Sequence, residues 1–154
     1  MVSYLTQRED ASLFQPRLLK KDDIYGNEGY LLNLIKPNVY QFNSYGSGSH
    51  VYLIIGEDLN VLIDTGVISK FNSLNYLLTT EVGLKVEDIN LIINTHEHFD
   101  HISANAFFQC PTAAHRWAAT KIQHTDELIT KGRKRGVDLS KLKAAETLSV
   151  LKAR

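Results

Sequence analysis

An α/β fold, with a mixed sheet flanked by helices, is predicted by three features of this 154-residue chain. Between Tyr30 and Asp64, short segments rich in Val, Ile, Leu and Tyr alternate with turn residues. After Asp64 the apolar spacing lengthens to the three- and four-residue repeat of an amphipathic helix. A further apolar run, "INLIIN" at 89–94, then leads into a dense polar cluster, and α/β folds keep such clusters at the carboxyl ends of their strands.

The elements follow in order. Residues 1–29 are polar and mixed, with "KKDD" at 20–23 and glycines at Gly26 and Gly29, and read as an N-terminal extension. Residues 30–130 read as the folded domain. Within it "YLLNLI", "VYQF", "HVYLII" and "NVLID" are strands, separated by Pro37, "GSGS" and "GED", and joined as antiparallel neighbours. Ile68, Phe71, Leu74, Leu77 and Leu78 share one face of a helix that Gly83 stops. "INLIIN" is apolar at successive positions, which predicts a buried strand covered on both faces. A short helix over 103–108, a brief strand over 113–115 and a longer helix from Trp117 complete the domain. "KGRKRG" at 131–136 reads as a basic linker, and Leu139, Leu142, Ala145, Leu148 and Leu151 as one face of a terminal helix, so 131–154 forms a separate tail.

Composition narrows the function. At 44% hydrophobic and 22% charged, the chain suits one globular domain, and seventeen basic residues balance seventeen acidic ones. That balance argues against nucleic-acid binding and against an anionic membrane surface. The single cysteine, Cys110, precludes an internal disulfide. The first residues lack the basic start and apolar core of a secretory signal, and no window is long and apolar enough to span a membrane, so a soluble cytoplasmic protein is expected.

The chemistry gathers in "NTHEHFDH", residues 94–101. His96 and His98, two apart in extended backbone, point the same way, and Asp100 and His101 follow at the turn. Imidazoles and a carboxylate are the ligand set of zinc, iron or manganese, and four such groups over six residues suffice for two cations side by side. Such a pair acidifies water to a nucleophile near neutral pH and polarises a substrate oxygen.

"HEHFDH" matches the His-x-His-x-Asp-His signature of the metallo-β-lactamase superfamily. Upstream, "HVYLIIGEDLNVLIDTG" resembles the paired strands that end in that family's first Asp motif, with Asp64 at its position. Downstream, "ISANAFFQCPTAAHRWAA" is similar to the helix and strand that follow the metal loop. The resemblance covers about residues 30–125 and implies half of an αβ/βα sandwich. It assigns His96 and His98 to one metal, and Asp100, counted also as catalytic, with His101 to the other. Asp64 would orient the metal loop through hydrogen bonds without being a ligand. Glu97 and Phe99 fall at variable positions and read as solvent contact and packing. "YGSGSH" at 45–50 borders the site mouth by analogy.

The family completes its site with a later His, a bridging Asp and a final His from the C-terminal half. After His101 this chain offers His115, a possible additional ligand, and His124, with Asp126 and Asp138, none in the family's "Gly-His" context. The reading is therefore a metal-dependent hydrolase, dinuclear with zinc, of a small-molecule substrate. It corresponds to the N-terminal half of the fold, inactive or weakly active unless a homodimer or a complementing C-terminal half completes the site. A non-catalytic metal-binding or oligomerising fragment and a mono-iron sulfur dioxygenase remain as alternatives.

Overall fold

The computed structural model describes residues 27–137. Six strands form one sheet in chain order: β1 (Gly29–Lys36), β2 (Val39–Tyr45), β3 (Val51–Ile55), β4 (Asn60–Ile63), β5 (Leu91–Asn94) and β6 (Thr112–Ala114). The first four are antiparallel neighbours, because their connections are too short to cross the sheet. The β1–β2 turn is Pro37–Asn38, with Asn38 in left-handed backbone at φ 65°. The pairs β4–β5 and β5–β6 are parallel, since helical segments carry the chain back between them.

Register and burial explain how the sheet finds its covering layer. Leu32 faces Phe42, Tyr40 faces Leu53, and Leu62 stands between Leu53 and Ile92. All of these side chains are buried on one face. Against them lie Leu74, Leu77, Leu78 and Val82, from α1 (Phe71–Leu77) and the wider helical turn that continues it over Leu78–Val82. Gly83 adopts φ 81° and ends the run where the sequence places its stop. Burying this many aliphatic and aromatic side chains, at about 1.5–3 kcal/mol each, is what holds the layers together.

The opposite face corrects an expectation. Ile92 is fully buried, but Ile93 is 38% exposed, and with Ile54 at 41% it marks a sheet face that the described residues cover only in part. β5 is thus apolar at successive positions while only one of its sides is fully packed within residues 27–137.

The later elements also shift. Of the short helix expected over 103–108 only a single 3-10 turn forms, at Asn105–Phe107, and the helical turn α2 (Phe99–Ile102) lies ahead of it, largely inside the segment read as the polar loop. The basic run expected as a linker begins inside α3 (Arg116–Lys134), whose last turn contains Lys131, Arg133 and Lys134. Cations there face the negative end of the helix dipole, which favours continuing the helix through them. Gly132 is buried, so its lack of a side chain serves packing rather than flexibility. The expected extension lies outside the described residues except at 27–29, where β1 already begins, and the leucine-striped segment at 139–151 lies outside them too.

Candidate metal centre

Two strand ends create the site. β4 and β5 are adjacent and parallel, so the residues following each emerge at the same edge: Asp64–Val67 from β4 and the 95–101 loop from β5. The loops are stitched together by backbone, with Thr65 N–H and Gly66 N–H donating to the His101 carbonyl at 2.8 and 3.2 Å. Gly66 has φ 74°, and a Cβ there would collide with the Tyr30 hydroxyl, so this close approach admits only glycine.

Asp64 is the hub. It is 4% exposed and holds left-handed backbone at φ 59°, a conformation that Asp tolerates better than most residues. One carboxylate oxygen accepts the Thr95 backbone N–H at 2.8 Å. The other accepts the Thr95 hydroxyl at 2.7 Å and faces His101 Nδ1 at 2.8 Å. The proton order follows. An ionised Asp64 can only accept, so His101 carries its proton on Nδ1. Thr95 gives its one hydroxyl proton to Asp64 and so accepts from His96 Nδ1, 2.9 Å away. A neutral imidazole bonded in this way at Nδ1 keeps its lone pair on Nε2, the form that binds a cation.

The rings are already grouped. His96 lies 4.5 Å from His98 and 4.0 Å from His101, centroid to centroid, and Asp100 Oδ2 is 3.8 Å from His101 Nε2. Among the described residues, no three His, Cys, Asp or Glu side chains close around a single point. The chemistry of the donors fits divalent metal ions: three imidazoles and a carboxylate at one mouth, two rings with their tautomers set.

Beneath the hub lies a polar layer that the sequence does not announce. Asn94, closing β5 at 3% exposure, donates to Asn105 Oδ1 at 3.3 Å and accepts from Asn105 Nδ2 at 2.7 Å. Thr65 Oγ1 also donates to Asn105 Oδ1 at 2.8 Å, and Asn94 Nδ2 reaches Asp64 Oδ1 at 3.5 Å. The available signal was an asparagine ending an apolar strand, which pays the cost of burial only when its amide is fully bonded.

The remaining candidates sit apart from this hub. His115 is the N-cap of α3: its Nδ1 accepts the Trp117 backbone N–H at 3.4 Å and its ring meets Trp117 edge-on at 5.1 Å. His124 is exposed on α3. Glu97 accepts from Lys121 Nζ at 2.8 Å, and that hydrogen bond holds its carboxyl below the ordinary range. Phe99 packs against Ile68 and Ile129. Asp126 lies on the inward stripe of α3 between Ile122 and Ile129. Burial pushes its carboxyl up to about 6, against the opposing pull of the Asn105 amide.

A sequence profile of the metallo-beta-lactamase superfamily matches residues 45–136. A protein of Methanocaldococcus jannaschii described as a probable metallo-hydrolase is 43% identical over 94 residues, covering 58% of this chain and 44% of that protein. The chain thus spans less than half the length of this relative. Among solved structures, a subclass B3 metallo-beta-lactamase from a soil metagenome superposes with a TM-score of 0.52 at 23% identity, over 61% of this chain and 36% of that one. A Cronobacter sakazakii metallo-beta-lactamase does so with 0.52 at 19%, over 58% and 33%. At these identities the two structures speak for the fold.

Proposed function

The chain belongs to the metallo-β-lactamase superfamily, and on that premise we propose that it carries the metal-binding half of a hydrolase. In this reading His96 and His98 hold one divalent ion, and Asp100 with His101 a second, both zinc. The observation that supports it best is the Asp64 hub, whose hydrogen bonds at Nδ1 of His101 and, through Thr95, of His96 leave Nε2 as the lone-pair nitrogen of each neutral ring. An arrangement built only for stability would have no need to order the protons of two half-buried imidazoles.

Metal ions bound there would acidify a water for attack and polarise the substrate oxygen, which suits hydrolysis of an ester, thioester, lactone, amide or phosphodiester. The protein's own residues do the rest. Asp64 holds the Nδ1 proton of His101 and, through Thr95, that of His96, which fixes the orientation of both rings. Asn94 and Asn105 brace Asp64 from below. Catalytic zinc normally has three protein ligands, whereas this loop offers two per ion. The proposal therefore includes further ligands from a complementing segment, in the same polypeptide or a partner subunit. The chain matches 44% of its relative's length, which leaves room for such a segment.

The test is metal analysis of purified protein beside the variant with both His96→Ala and His98→Ala. Zinc content should fall at least tenfold, as expected when ligands rather than outer residues are lost, while the far-ultraviolet circular dichroism stays unchanged. Equal metal content in the two proteins would sink the assignment. One iron per chain with oxygen uptake would replace hydrolysis by a dioxygenase.

A further inference from the structure

Lys70 ends the 3-10 turn Ile68–Lys70 that follows the Asp64–Val67 loop, and its side chain is almost wholly buried, at 2% exposure. A buried ammonium is costly unless its donors are met. Among the described residues no carboxylate lies within ion-pair distance of it. Its Nζ instead donates to Ser44 Oγ and to the Tyr45 carbonyl, both at 2.6 Å, and lies 5.5 Å from the Tyr30 ring centroid.

These acceptors are the last two residues of β2, from which the segment Ser44–Ser49 turns toward β3. Gly48 rests on the same support: at φ 93°, a Cβ there would sit 3.0 Å from Val67 Cγ1 and 3.9 Å from Lys70 Nζ. At the far end of the loop, Ser49 Oγ donates to the Asp100 carbonyl at 2.6 Å. A cation rooted beside the Asp64 loop is thereby connected, through six residues of chain, to the peptide that joins two of the proposed ligands.

We propose that Lys70 is a positioning residue: it pins the Ser44–Ser49 loop, and Ser49 in turn fixes the peptide between Asp100 and His101 and the directions in which those two side chains leave it. The consequence for metal rests on the function proposed above; the mechanical link does not. Burial pulls the Lys70 ammonium below its ordinary value, and Glu28 opposes that pull. Glu28 also accepts from Ser47 Oγ at 3.2 Å, so the carboxylate that opposes that pull holds the same loop.

Hydrogen exchange on metal-free protein tests the link. Lys70→Met should speed exchange at the amides of 46–49 and at His101 about tenfold, the effect of one lost charge-assisted hydrogen bond, and leave β5 unchanged. Zinc affinity, read by chelator competition, should fall about tenfold in both Lys70→Met and Ser49→Ala. The double variant should be no worse than the weaker single one, because both act through one path. Additive losses, or faster exchange spread evenly over the sheet, would overturn the proposal. Should Lys70→Met not fold, Ser44→Ala removes one acceptor of the same ammonium and must show the same localised exchange. A wild-type chain that binds no zinc would refute the functional reading, while exchange at 46–49 would still decide the role of Lys70.

Discussion

The inner and outer rims of the metal loop are built on opposite terms. On the inner rim, Asp64 is 4% exposed and its two oxygens meet Thr95 twice, His101 and Asn94. On the outer rim His98 is exposed and the Asp100 side chain is 42% open, with 3.8 Å separating it from His101 Nε2. The inner rim is finished by the fold itself, since buried donors left unmet would cost free energy. The outer rim stays open to solvent. Groups that would orient the proposed ligands can thus be locked by folding even when the proposed ligands are not.

The sharpest way to break this contrast is to empty each rim in turn on metal-free protein. Asp64→Ala should cost about 1–3 kcal/mol, because it takes from the Thr95 and His101 donors their buried acceptor. His98→Ala should stay within about 0.5 kcal/mol, as for other exposed positions. Urea unfolding of both variants measures the gap, and equal losses would erase the distinction.

Asp126 sharpens the contrast at a second depth, since its Oδ1 is sealed from solvent without a hydrogen-bond partner. Its folded pKa is raised from 3.8 to about 6, so the native state binds the proton more tightly than the unfolded chain. Stability should therefore fall as pH rises through that window and level off above it. Asp126→Asn should remove this slope and stabilise the protein at neutral pH by about 1 kcal/mol, a figure discounted for the carboxyl's partial contact with solvent. Unfolding of wild type and variant at about pH 4 and about pH 7 checks both sign and size. The smallest effect is expected at the surface, where Lys121→Ala breaks the 2.8 Å contact to Glu97 and should leave the thermal midpoint within measurement error, since exposed ion pairs contribute little.

Much of this could be read in the chain itself, for reasons tied to particular residues. Alternating apolar positions in "VYQF" and "HVYLII" encode strands because side chains alternate across a pleated sheet. Gly83 marks a helix end because glycine enters left-handed backbone without steric cost. "HEHFDH" stands out as a candidate metal motif because donor type and spacing are local properties. The reading of "INLIIN" went astray on a non-local one: Leu91 to Ile93 are apolar at every position, yet what covers each face depends on segments distant in sequence. The "KGRKRG" run likewise read as a linker because basic residues and glycines favour a break, whereas packing of Ile129 and Gly132 carries α3 through to Lys134.

What the sequence by itself determined is most of the strand and helix order and which side chains are candidate metal donors, since both follow from short-range spacing and side-chain chemistry. Only the tertiary structure decided how those donors are held. Asp64 and His101 are 37 positions apart, Lys70 and Ser44 26, Ser49 and Asp100 51. Nothing in local spacing distinguishes a buried Lys70 from an exposed one. The parallel pairing of β4 with β5 brings these residues to one edge, and the cost of unmet buried donors then selects the partners they find there.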